Sequence, residues 1–217
     1  MTKLLIFDMD GTLLDTIGNI ANSVNFALKE HNFLPHTIEE YRLCSGNGID
    51  KLIEKVLPVE FRNADWISML KVDFIKYYYA HFDQYTLPYP GVSELINKLY
   101  AEGYKLAVAS NKVHDSAVKQ VLQFFPDIKF TTVSGKRDGY PLKPNGGVLE
   151  EIIKIAGAEK SETLYIGDSG IDVATAYNAK VPFVGVLWSL HTRRDLEEAG
   201  ASCFAETTAE LDGIIHS

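Results

Sequence analysis

Cysteine is nearly absent from this chain. Only Cys44 and Cys203 occur, and no Cys-x-x-Cys pair is formed. That argues against a disulfide framework and for a reducing, cytoplasmic setting. No apolar run approaches the ~20 residues that a membrane-spanning helix needs, so no membrane partner is expected. The start Met1-Thr2-Lys3-Leu4 lacks a secretory-leader pattern. The six histidines are scattered without metal-ligand spacing, and no Gly-x-Gly-x-x-Gly follows an apolar run, which disfavours a dinucleotide site. Positive charge is also short, with 21 Lys and Arg against 29 Asp and Glu and a net charge of −8. General nucleic-acid binding is disfavoured, and an anionic substrate would need a local positive site.

What is present is a core-forming chain, 217 residues long and 46% apolar, enough for one large domain or two small ones. From Tyr104 onward, short apolar runs alternate with amphipathic stretches. Expected strands are Leu106–Ala109, Phe130–Val133, Leu164–Ile166, Phe183–Val186 and a weak Ser202–Phe204. Expected helices are Ser116–Phe124, Gly147–Ala156, Asp172–Asn178, Arg193–Ala199 and Ala209–Ile215. This alternation predicts an α/β fold with a doubly wound parallel sheet. The stretch from Ile17 to Phe82 instead carries apolar residues at helical spacing, such as Ile20, Val24 and Leu28, and Leu52, Ile53 and Val56. It is expected to be an inserted all-helical unit. The expected division is residues 1–15 and 84–217 as the α/β core and 16–83 as the insertion. Pro88-Tyr89-Pro90-Gly91 reads as the returning turn, with Ser93 capping a helix Glu94–Tyr100.

Chemistry-bearing residues gather at the carboxyl ends of expected strands, where open α/β sheets bind ligands. Leu4-Leu5-Ile6-Phe7 runs into Asp8-Met9-Asp10-Gly11-Thr12. Ser110-Asn111-Lys112, Lys143-Pro144 and Gly167-Asp168-Ser169-x-x-Asp172 follow later runs. Carboxylates this close repel one another unless a cation or a proton intervenes. Asp8, Asp168 and Asp172 offer hard oxygen ligands suited to Mg²⁺. Lys143, the Ser110 hydroxyl and the backbone around Gly11 and Thr12 can hold phosphoryl oxygens. Asp8 can then attack phosphorus, and Asp10 can protonate the leaving oxygen and activate water.

Together these segments resemble the haloacid dehalogenase superfamily, whose four motifs match in order across the chain. The resemblance implies a phosphoaspartate at Asp8 and acid/base work by Asp10. It implies phosphate contacts from Ser110, Asn111 and Lys143. It places Mg²⁺ on Asp8, the Asp10 backbone carbonyl and Asp168, with Asp172 as a ligand or as a carboxylate behind the ligands. The helical insertion is similar to the family's cap. Asp10–Thr16, Gly46–Asp50, Pro88–Val92, Val108–Lys112 and Gly185–Trp188 look closer still to phosphoglycolate phosphatases. By that likeness Gly48, in the cap loop, is a candidate substrate contact, and Arg42 nearby is a candidate partner for a substrate carboxylate.

Two departures stand out. Lys143-Pro144-Asn145-Gly146 replaces the usual Lys-Pro-x-Pro, and a second glycine follows, which predicts a looser loop and a less well anchored helix. Trp188-Ser189 replaces the usual Trp-Gly, a change expected to touch no catalytic group. The expected activity is Mg²⁺-dependent hydrolysis of a small phosphorylated metabolite, with 2-phosphoglycolate a candidate and the protein a monomer or homodimer. The alternative is a phosphomutase of the β-phosphoglucomutase type. Such mutases carry a cap-hinge histidine where this chain has Ile20.

Overall fold

The computed structural model describes residues 3–44, 49–81 and 84–217, with 42–44 described by their backbone. The chain forms two compact units, 1–15 with 88–217, and 16–87. The helical unit thus runs to Leu87, beyond the expected 83.

The larger unit is built on a six-stranded sheet. Its strands are β1 (Leu4–Phe7), β4 (Lys105–Val113), β5 (Thr132–Lys136), β6 (Thr163–Gly167), β7 (Phe183–Val186) and β8 (Phe204–Ala205). Their order is β5-β4-β1-β6-β7-β8, and every pairing is parallel. Its helices are α5 (Val92–Ala101), α6 (His114–Phe124), α7 (Gly147–Ala156), α8 (Gly170–Ala179), α9 (Arg193–Glu198) and α10 (Thr208–Ile215). Two short strands, β2 (Leu14–Asp15) and β3 (Leu87–Pro88), pair separately.

The sheet is buried on both faces, which is why β1 reads as an unbroken apolar run. Side chains still alternate along it. Leu5 and Phe7 join Leu106, Val108, Leu164 and Ile166 in a core shared with α5, α6 and α10. Leu4 and Ile6 join Ala107, Ala109 and Tyr165 in a second core with α7 and α8. β1 lies between β4 and β6, so Asp8 directly follows the central strand and Asp168 follows its neighbour.

Three local expectations need correction. Ser110-Asn111-Lys112 does not follow the end of its strand. β4 continues to Val113, and its register against β5 shifts between Ala109 and Val113. Such an irregularity re-aims side chains without ending the strand. Ser93 does not cap α5. The helix begins at Val92 on Gly91, one residue after the proline turn. The loop after Lys143 is not loose either. Asn145 Oδ1 accepts from Gly147 N at 2.9 Å, and Asn178 Nδ2 donates to Pro144 O at 2.8 Å. Gly146 lies so close to α8 that a Cβ there would sit 2.5 Å from Ala179 N. The glycine therefore permits close packing, and α7 is anchored by backbone contact.

The helical unit contains α1 (Ile17–Glu30), α2 (Ile38–Cys44), α3 (Ile49–Val56), a 3-10 turn (Val59–Phe61) and α4 (Ala64–Ala80). Val24, Leu28, Leu52, Ile53, Leu70 and Phe74 are buried at the spacing read from sequence. Asn63 caps α4 by accepting from Trp66 N at 3.1 Å. Phe33, Phe61 and Trp66 pack edge to face, and Tyr77 stacks between Phe26 and His81. The loop containing Gly48 lies outside the described residues.

Substituting Gly146→Ala is expected to destabilise the protein by about 1–3 kcal/mol, because the new methyl meets backbone that cannot rotate away. Urea denaturation measures this. A loss below ~0.5 kcal/mol, the scale of an ordinary surface change, would show that the α8 terminus yields.

Candidate active site

The turn after β1 is organised by one carbonyl. Met9 O accepts from Leu13 N and Leu14 N, each at 2.9 Å, and from Thr12 N at 3.3 Å, while Gly11 N donates to Leu14 O at 2.9 Å. This tight turn separates the two leading acids. Asp8 is buried, and its Oδ1 accepts from Lys143 Nζ at 2.6 Å. Asp10 is half-buried and pairs with a different lysine, accepting from Lys112 Nζ at 2.8 Å. Gly11 has φ +91°, and a Cβ on it would lie 2.3 Å from Asp168 Oδ2. Glycine is therefore required there both for the backbone and for the approach of Asp168.

Asp8, Asp168 and Asp172 are all buried, and each offers an oxygen within 4.8 Å of the others. Lys143 Nζ bridges two of them, 2.6 Å from Asp8 Oδ1 and 2.8 Å from Asp172 Oδ1. Asp172 is fully saturated by donors. Its Oδ1 also accepts from Tyr165 Oη at 2.5 Å, and its Oδ2 accepts from Ser169 N at 3.1 Å and Ser169 Oγ at 2.6 Å. It also closes the capping box of α8 with Ser169. Asp168 accepts from Thr12 Oγ1 at 3.3 Å on one oxygen and from Ser189 Oγ on the other.

The remaining expected residues have specific places. Ser110 is buried, and its Oγ accepts from Lys112 N at 3.2 Å. Asn111 uses both ends of its amide on Lys143, donating to its carbonyl at 3.0 Å and accepting from its N–H at 2.9 Å. In this structure it clamps the lysine loop, because the irregular end of β4 lies beside that loop. Thr12 likewise spends its hydroxyl on Asp168. The Trp188-Ser189 departure does touch the carboxylate set, contrary to expectation. Ser189 donates to Asp168, and Trp188 Nε1 donates to Thr12 O at 3.0 Å. Lys112 as the partner of Asp10, Tyr165, Ser169 and Ser189 were not singled out from sequence. Ser169-x-x-Asp172 is a capping-box pattern that would have exposed one of them.

Burial sets the electrostatics. It pushes the Asp8 carboxyl well above the usual range, opposed by Lys143 and reinforced by Asp172 and Asp168. Burial, then the charge of Asp172, pushes Asp168 up to about 6, with Ser189 and His191 opposing. Burial acts the same way on Asp172, but Lys143, Ser169 and Tyr165 outweigh it and hold that carboxyl below its usual value. For Lys143, burial disfavours the ammonium, yet Asp172 and Asp8 outweigh that and keep it charged. When all three carboxylates are ionised, the one ammonium leaves two negative charges, which a single divalent cation would offset. The donor set, all carboxylate oxygen, suits Mg²⁺.

Because Asp168 titrates higher in the fold than in the unfolded chain, the folded state holds the extra proton. Its stabilising effect is present below about pH 4 and is lost as pH rises through about 6. The metal-free protein is expected to lose on the order of 3 kcal/mol over that window through this group. Asp168→Asn should remove this component. Chemical denaturation in chelator at a series of pH values checks it, and an identical slope in both proteins would refute it.

Residues 5–186 match the family profile of haloacid dehalogenase-like hydrolases. The chain is 29% identical to a phosphoglycolate phosphatase of Mesorhizobium japonicum, over 96% of this chain and 94% of that one. It is 30% identical to the pyrophosphatase PpaX of Listeria innocua, over 97% and 95%. A crystal structure from Lactobacillus delbrueckii subsp. bulgaricus superposes with a TM-score of 0.91 at 28% identity, covering 99% of both chains. With the profile spanning most of its length and the fold reproduced throughout, this chain belongs to the haloacid dehalogenase-like hydrolase family.

Proposed function

We propose that the protein is a Mg²⁺-dependent phosphomonoester hydrolase that acts on a small phosphorylated metabolite through an aspartyl-phosphate at Asp8. The observation that carries this reading is the buried trio Asp8, Asp168 and Asp172 with Lys143 between two of its members. The relationship to a phosphoglycolate phosphatase makes 2-phosphoglycolate the first candidate.

In this reading an Asp8 carboxylate oxygen attacks phosphorus, and the bond from phosphorus to the ester oxygen breaks. Asp10, carrying a proton, gives it to the leaving oxygen, so an alcohol departs. Asp10 then takes a proton from a water whose oxygen attacks the phosphoaspartate. The bond from phosphorus to Asp8 breaks, inorganic phosphate leaves, and both acids return to their starting forms. Asp8 and Asp168 would hold Mg²⁺, which when bound supplies positive charge to the phosphoryl oxygens and offsets their repulsion from Asp8. Lys143 keeps Asp8 oriented and adds positive charge beside the reacting phosphoryl group. Asn111 holds the Lys143 backbone from two directions. Asp172, with four donors already on its oxygens, serves to fix Lys143.

A second reading has its own support. The relative named a pyrophosphatase matches as fully as the one named a phosphoglycolate phosphatase. The same attack at Asp8 would cleave a phosphoanhydride, with phosphate as the leaving group. A sugar phosphomutase is less well supported, because Ile20 in α1 brings no proton-transferring group.

Phosphate release from 2-phosphoglycolate, other small phosphomonoesters and pyrophosphate, with and without Mg²⁺, tests these readings. Activity is expected on a monoester and should vanish in EDTA. Turnover of pyrophosphate alone would select the second reading, and full activity in chelator would remove the metal from both. Asp8→Asn is expected to lower turnover by at least ~10³-fold, the scale of losing a nucleophile. Asp10→Asn is expected to accumulate phosphoenzyme, visible by mass spectrometry as a covalent phosphate on Asp8. Absence of that adduct during slow turnover would count against the role of Asp10.

A further inference from the structure

The loop after β7 reaches the carboxylate cluster in a way the mechanism above does not use. Trp188 Nε1 donates to Thr12 O at 3.0 Å, tying the loop to the turn that follows Asp8. The next residue, Ser189, donates its hydroxyl hydrogen to Asp168 Oδ2, while its Oγ accepts from Leu190 N. The backbone N–H therefore orients the hydroxyl, and the hydroxyl orients the carboxylate. On the other oxygen, Thr12 Oγ1 donates to Asp168 Oδ1 at 3.3 Å. Gly11 lets the carboxylate approach its backbone, where a Cβ would sit 2.3 Å from Oδ2. Asp168 is thus gripped by two hydroxyls from separate loops and by a glycine.

We propose that Ser189 is a positioning residue that sets the affinity of the site for its divalent cation, by holding the Asp168 carboxylate in its ligating orientation. The inference rests on the Mg²⁺ reading of the site. Its physical basis is general. Groups that hydrogen-bond a ligating carboxylate fix its rotamer before the ion arrives, and removing them costs ~10–100-fold in metal affinity. Each carboxylate oxygen has more than one acceptor direction. A single hydroxyl hydrogen on Oδ2 therefore leaves that oxygen a further acceptor direction. A glycine at this position would supply no side-chain donor, so this chain carries a hydroxyl contact that a Trp-Gly sequence cannot make.

The test is calorimetric titration of Mg²⁺ into the wild-type protein, Ser189→Ala and Ser189→Thr near neutral pH, with a melting curve for each to confirm folding. Ser189→Ala is expected to raise the Mg²⁺ dissociation constant by about ten-fold. Ser189→Thr, which keeps the hydroxyl, should restore it. A role confined to shaping the turn through Leu190 N would change the melting temperature without this pattern of affinities. A loss of about five-fold or more in Ser189→Ala, recovered in Ser189→Thr, supports the proposal on that scale. A smaller loss, a gain in affinity, or a loss that Ser189→Thr shares overturns it. If the wild-type protein binds no Mg²⁺, the metal reading of the site falls, and this proposal falls with it. If the wild type binds and Ser189→Ala binds equally, only the role of Ser189 is lost.

Discussion

Lys143 between Asp8 and Asp172 is the contact on which the site depends. Three carboxylates packed within reach of one ion would drive each other apart, and burial makes each charge more costly. A single buried ammonium relieves part of that repulsion and leaves a residual charge suited to a divalent partner. The lysine is itself held, its backbone clamped by Asn111 and its Nζ by two acids. Asp172 is likewise held by several donors. With Tyr165, Ser169 and Lys143 all donating to it, it is an anchor whose ionised form its partners favour. The two leading acids consequently differ in environment. Asp8 shares Lys143 with Asp172 in the buried cluster. Asp10 sits half-exposed on Lys112.

Strand order makes this convergence possible. β1 is central, with β4 and β6 on its two sides, so segments more than 90 residues apart in the chain end side by side. The two-residue period of the strands sends alternate residues into separate cores against α5, α6 and α10 on one face and α7 and α8 on the other. That double burial keeps the strand ends rigid. A loop site on such a scaffold can hold charges closely because the elements beneath it do not yield.

The α/β class and the doubly wound sheet were legible because apolar runs of about four residues alternated with amphipathic ones. Gly147–Ala156 and Phe183–Val186 came out with the bounds read from sequence, since glycine, proline and polar residues punctuate both. β4 was underestimated because Ser110-Asn111-Lys112 has the polarity of a loop, whereas the register shift lets it remain in the sheet. The segment 143–147 was read as loose from its glycines, although Gly146 is there because a backbone from α8 occupies the space of its side chain. Composition records that a residue is small, and only the neighbour explains why. The approach of Asp8, Lys143, Asp168 and Asp172 to one another at the strand ends was anticipated from their places after strands. Their partners were not.

By itself, the sequence determined the elements of the fold, the presence of a helical insertion and the acidic character of the strand ends. Those properties are local, written in periodicity and in the residue types that follow each apolar run. Tertiary structure alone decided which charge meets which. Lys112 goes to Asp10 and Lys143 to Asp8, Asn111 turns to the lysine loop, and Ser189 reaches Asp168 from beyond the neighbouring strand. Pairings of this kind depend on distances of a few ångströms between segments remote in the chain, and no local pattern encodes them.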